Sequence, residues 1–139
     1  MRVALDTNVL VSAVATRGLC ADILQATLAE HELVMGVAVL GELRRVLQTK
    51  LRIPAHTINE LDAFLRAQAI IVSEAPAIKV KISDPADLLV LAQALAGGAS
   101  VLVTGDKHLL DISGKVDIPI VTPRGFWDLL RNPNSGSAG

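Results

Sequence analysis

The chain has 139 residues, a formal net charge of −1 and 51% hydrophobic residues, most of them aliphatic. This length suits one domain that buries a real core without disulfide or metal staples. With one Trp, two Phe and no Tyr, it lacks the rings of a base-stacking platform, and its charge leaves phosphate binding through metal ions open.

In chain order, residues 3–5 read as a short buried strand. A helix is expected over about 19–29, and a second strand over 33–35. Residues 38–47 are helical, with Val39, Leu40, Leu43, Val46 and Leu47 forming one stripe. Another helix covers about 55–68, and 70–73 form a third strand. In 78–82, Ile78, Val80 and Ile82 alternate with lysines, which fits either an edge strand or an extended loop. Residues 85–96 form the clearest helix, ended by Gly97-Gly98. A fourth strand follows at 101–103. A fifth is expected at 118–121, where Pro119 argues for the sheet edge. A last helix covers about 123–130, with Pro at its first position. Short aliphatic strands alternating with helices give an α/β fold: a central parallel sheet of about five strands with helices on both faces.

The expected organisation is one domain over 1–131 and a flexible polar tail over 132–139. Cys20 is the only cysteine, which fits a reducing cytosol. No basic stretch with a long apolar region behind it opens the chain, and the run at 88–96 is too short to span a bilayer. A cytoplasmic protein without membrane attachment is expected.

Ligands of open parallel sheets bind beyond the carboxyl ends of the strands. Asp6 follows the first strand directly, and Asp106 follows the fourth in Val103-Thr104-Gly105-Asp106. Asp87 lies in the first turn of the helix opened by Asp84-Pro85, and Glu42 sits on the helix after the second strand. Each acid also has a plainer role: Asp84 and Asp106 suit helix N-caps, and Glu42 suits a solvated surface. Together they point to a cation, because carboxylates sharing one crevice repel. Oxygen donors without Cys or clustered His suit Mg²⁺ or Mn²⁺ rather than zinc.

These residues resemble the PIN-domain nucleases, in particular the toxin components of bacterial and archaeal toxin–antitoxin systems. The resemblance runs from Val3 to about Leu130. It is carried by Asp6-Thr7-Asn8-Val9-Leu10, Glu42-Leu43, Asp84-Pro85-Ala86-Asp87 with Leu91-Ala92-Gln93-Ala94, and Val103-Thr104-Gly105-Asp106. It implies a PIN-like domain in which Asp6, Glu42, Asp87 and Asp106 form the catalytic metal site, with Asp6 and Asp87 as direct ligands. Thr7, Asn8 and Thr104 are then expected to orient the carboxylates or a bound water. The chain departs from the family pattern at Leu88, where a further acid is frequent, and at Gly41 before Glu42.

The implied activity is Mg²⁺- or Mn²⁺-dependent endoribonuclease cleavage leaving a 5′-phosphate and a 3′-hydroxyl. Its partners would be RNA, an antitoxin protein and a second copy in a homodimer. Lys107 and His108, beside Asp106, are expected to touch phosphates, whereas Arg44, Arg45, Lys50 and Arg52 read as a solvated face. The alternative is a weak or inactive interaction or oligomerisation domain on the same fold. A haloacid-dehalogenase-like phosphatase is disfavoured, since Asn8 stands where that reading wants a second Asp.

Overall fold

Alternate residues of a strand point to opposite sides of the sheet, so a chain whose strands carry consecutive apolar residues needs cover on both faces. The first strand shows it: Val3 and Leu5 enter one core and Ala4 enters the other. The computed structural model describes residues 1–132. It contains strands β1 (Arg2–Leu5), β2 (Glu32–Gly36), β3 (Ile70–Val72), β4 (Val101–Val103) and β5 (Ile120–Val121) in one parallel sheet of order β3-β2-β1-β4-β5. The helices are α1 (Thr7–Ala15), α2 (Leu19–Glu30), α3 (Val37–Thr49), α4 (Ala55–Gln68), α5 (Pro85–Ala96), α6 (Lys107–Leu110) and α7 (Pro123–Arg131).

The larger core packs Leu10 of α1, Ile23 of α2, Val39, Leu40, Leu43 and Leu47 of α3, Leu65 of α4 and Phe126 of α7 against Val3, Leu5, Leu33, Met35 and Val103, while Val46 of the expected stripe lines the cleft described below. The opposite core packs Leu91 and Ala94 of α5 and Leu109 of α6 against Ala4, Val34 and Leu102. The α/β architecture expected from the sequence is therefore observed.

The differences have local causes. Residues 7–15, for which the sequence predicts no helix, form α1, with Val9, Leu10 and Ala13 buried on one face. Four β-branched residues and a Ser in nine positions mask that helix from propensity, and packing on the sheet overrides it. Residues 78–82 form no strand, although Ile78, Val80 and Ile82 are partly buried against the smaller core, so the alternation belongs to an extended loop. Strand β5 is only Ile120–Val121 and does lie at the edge. Pro119 precedes it, and its carbonyl accepts the Leu102 N–H. The expected tail lies outside the described residues except for Asn132, whose N–H donates to the Asp128 carbonyl.

Candidate metal site

The sheet order reverses between β1 and β4: the chain runs from β1 through β2 to β3 on one side and reaches β4 and β5 on the other. Such a switch point opens a crevice at the carboxyl edge. Leu5 is in register with Val103, so the next residues, Asp6 and Thr104, emerge side by side.

Asp6 is only 6% exposed. Its Oδ1 accepts the Thr7 N–H at 2.8 Å, which caps α1. Its Oδ2 accepts the Thr104 hydroxyl at 2.7 Å and, more weakly, the Asn8 amide at 3.4 Å. Thr104, itself fully buried, also accepts the Asp106 N–H at 2.9 Å through its hydroxyl oxygen. The Asn8 side-chain oxygen accepts the Gly105 N–H, which ties the two strand ends together. The three polar neighbours expected to orient carboxylates thus all touch Asp6, Thr7 through its backbone. Three donors leave lone-pair capacity on the carboxylate for one further partner.

The other acids arrive on helices. Residues 38, 41, 42 and 45 of α3 follow the i, i+3, i+4, i+7 row beside its buried stripe, and residues 8, 11, 12 and 15 of α1 form a matching row. Both rows line a cleft of about 900 Å³, which Asp6, Glu42, Asp84, Asp87 and Asp106 share. Asp84 caps α5 through the Ala86 N–H, and Asp106 caps α6 through the His108 N–H. The plain capping roles are therefore real for both, and they leave the carboxylates on the cleft wall.

Their electrostatics show the crowding. Burial pushes the Asp6 carboxyl up, the Thr104 and Thr7 hydrogen bonds oppose this, and the charges of Asp106 and Glu42 raise it further. Asp87 is pushed up to about 6, first by burial, then by the charge of Asp106 and a shared hydrogen bond with it, then by Asp84 and Asp6. Glu42 goes the other way, held low chiefly by its hydrogen bonds from Arg45. Among the described residues, no three of His, Cys, Asp and Glu are gathered tightly enough to hold an ion as they stand. An open set of oxygen donors fits Mg²⁺ or Mn²⁺, which keep several waters and share their shell with substrate phosphates, better than a closed structural cage.

The basic residues on this cleft are Arg45 and Lys50. Lys107 and His108 are exposed and do not line it; His108 lines a smaller cavity with Lys81 and Ser83. Arg45 is exposed, as a solvated face requires, and it also lines the cleft because the cleft row of α3 lies directly beside the core stripe. The i, i+3 spacing of Glu42 and Arg45 was the signal available. Gln93 has a role that no local sequence signal announces. It is 2% exposed, and its Oε1 accepts the Ala38 N–H at 3.0 Å, supplying from α5 the cap that Gly36 cannot give α3.

A family model described as PIN domain matches residues 2–108. No curated protein matches the sequence. Among solved structures, the chain is similar to VapBC-1 from nontypeable Haemophilus influenzae, with a TM-score of 0.63 and 18% identity over 89% of this chain and 99% of that one. It is also similar to VapBC2 from Rickettsia felis, solved with a DNA fragment from the promoter, with a TM-score of 0.60 and 21% identity over 88% and 98%. FitAcB from Neisseria gonorrhoeae gives 0.53 and 17% over 87% and 97%. At these identities the likeness is one of fold.

Proposed function

The chain belongs to the PIN-domain family, and from that premise we propose that it is a Mg²⁺- or Mn²⁺-dependent endoribonuclease, the toxin of a toxin–antitoxin pair. The observation that carries the reading is a buried, hydrogen-bonded Asp6 facing Glu42, Asp87 and Asp106 across one cleft at the sheet's switch point. Crowded carboxylates are costly, and a divalent cation offsets that cost.

Asp6 and Asp87 are the proposed direct ligands, and Glu42 and Asp106 complete the set. An ion of this type supplies Lewis acidity, generating a hydroxide nucleophile near neutral pH and neutralising charge on the departing oxygen. The chain's own part is to fix geometry. Thr104 and the Thr7 N–H hold the Asp6 carboxylate in one orientation, and Asn8 holds the loop that carries Asp106. Asp87, raised to about 6 by burial and by the neighbouring Asp106, is the acid a cation would relieve most. Lys107 and His108 are proposed to meet the RNA where it leaves the cleft. Val37, Leu51 and Leu89 line the same cleft with exposed apolar side chains, which supports a protein such as an antitoxin covering it. A homodimer is part of the same proposal.

The test is to incubate the purified protein with labelled RNA in Mn²⁺ and in chelator, beside Asp6→Asn. Cleavage in Mn²⁺ that both chelator and the substitution abolish is expected, as is growth arrest on expression that Asp6→Asn relieves. Equal cleavage in all conditions would overturn the assignment. The second reading, a PIN-fold interaction domain without activity, draws on the absence of a tightly gathered donor trio among the described residues. Titration calorimetry with Mn²⁺ separates the two, since the interaction domain takes up no ion.

A further inference from the structure

Arg45 stands on the wall of the acidic cleft, engaged with a carboxylate that the proposed reaction uses for another purpose. Its guanidinium donates twice to Glu42, from Nη2 to Oε1 at 2.6 Å and from Nε to Oε2 at 3.1 Å. A fork closed in this way occupies both carboxylate oxygens along the directions a cation would take. The two side chains are 52% and 45% exposed and sit one helical turn apart on α3. Exposed pairs of this kind contribute little to stability, so the fork opens easily.

Once Glu42 turns to an ion, the guanidinium has no other carboxylate bonded to it. Arg44, its neighbour on α3, is engaged with Asn59 and Asp62, away from the cleft. A guanidinium in an acid-lined cleft is satisfied by an anion that arrives with the substrate, and its planar fork fits phosphate as well as carboxylate. On the reading of the chain as a metal-dependent ribonuclease, we propose that Arg45 changes partners. It holds Glu42 in the ion-free protein and grips an RNA phosphate when Glu42 serves the ion. Arg45 is thus both a competitor for the metal site and a substrate-binding residue, and ion and RNA bind cooperatively through it.

The experiment compares wild type, Arg45→Ala, Arg45→Lys and, as a control, Arg44→Ala, each checked for folding by circular dichroism. Calorimetry with Mn²⁺ alone is expected to show tighter binding in Arg45→Ala by about 2- to 5-fold, the equivalent of one exposed ion pair. Binding of a short RNA is read by fluorescence anisotropy with Ca²⁺ in place of Mn²⁺, to hold back cleavage. Arg45→Ala is expected to weaken it and to reduce the slope of log affinity against log salt by about one, the mark of one lost phosphate contact. Arg45→Lys keeps the charge and the salt slope but loses the fork, and Arg44→Ala matches wild type in both assays. Weaker Mn²⁺ binding in Arg45→Ala would overturn the exchange and make Arg45 a support for Glu42. An unchanged salt slope would overturn the phosphate contact. Wild-type protein that binds neither Mn²⁺ nor RNA defeats the ribonuclease reading itself, whereas binding of both with no effect of Arg45→Ala defeats only this inference.

Discussion

At the scale of single residues, Thr104 is the side chain that links two of the site's acids. Its hydroxyl donates to Asp6 and accepts from the Asp106 N–H, so one buried oxygen sets two of the carboxylates. Thr104→Val keeps the shape of the side chain and removes both bonds. An unsatisfied buried group costs about 1–3 kcal/mol, and urea unfolding should show a loss of that order. The Asp6 carboxylate also loses the hydrogen bond that most opposes its burial, so its pKa should rise further. Groups that orient a metal ligand typically carry about 10- to 100-fold in affinity, and Mn²⁺ calorimetry on Thr104→Val should fall in that range. Thr104→Ser retains the hydroxyl and should stay near wild type in both measurements. A stability loss without a change in Mn²⁺ affinity would show that Thr104 only supports the strand end.

At the scale of elements, α3 carries Glu42 and Arg45 but starts without a cap of its own. Gly36 precedes it, and Gln93 of α5 reaches across to the Ala38 N–H. The close approach explains the glycine: a Cβ at position 36 would lie 2.1 Å from the Gln93 Oε1. Gly36→Ala is therefore expected to displace Gln93 and uncap α3. Gln93→Leu removes the acceptor directly and should destabilise by about 0.5–2 kcal/mol, the usual worth of a helix cap, measured by thermal or urea unfolding. A Gly36→Ala variant as stable as wild type would mean that Gln93 finds another rotamer at no cost. This contact also marks where sequence reading stopped. The strands were legible because short aliphatic runs such as Val101–Val103 have few alternatives, and α5 because Asp84 and Pro85 announce it. Asp6, Asp87 and Asp106 stand out in the sequence because each follows a strand or opens a helix, and Glu42 because it falls beside the apolar stripe of α3. The cap on α3 joins residues 55 apart in sequence, and no periodicity or spacing reveals it. Thr104 meets Asp6 across 98 residues, and only the family resemblance, not a spacing, gave it an orienting role. The α1 helix and the cleft row of α3 were missed for a related reason: packing against the sheet, not local propensity, decides both.

At the scale of the whole molecule, the acids of the cleft set how stability depends on pH and on cations. Burial and the Asp106 charge raise Asp87 from an ordinary 3.8 to about 6, and Asp6 is raised as well. Between these limits the folded protein binds more protons than the unfolded chain, so stability falls as pH rises. Glu42, held low by Arg45, acts in the opposite sense and in a lower window, losing its contribution as pH drops below its ordinary 4.5. It is largely exposed, so that contribution is small. The protein in chelator should therefore melt at a lower temperature at pH 7 than at pH 5, the reverse of acid denaturation driven by paired carboxylates. Asp87→Asn removes one charge from the crowd. It should raise the melting temperature at pH 7 and change little at pH 5, where Asp87 is already mostly protonated in the folded state. Mn²⁺ needs the carboxylates ionised, so its affinity should climb through pH 6 and its binding should release protons at pH 5.5 but not at pH 8. Calorimetry in buffers of different ionisation enthalpy measures that release. A melting temperature that rises steadily from pH 5 to pH 7 in chelator would show that the carboxylates do not crowd one another, and would remove the electrostatic reason for a cation in this cleft.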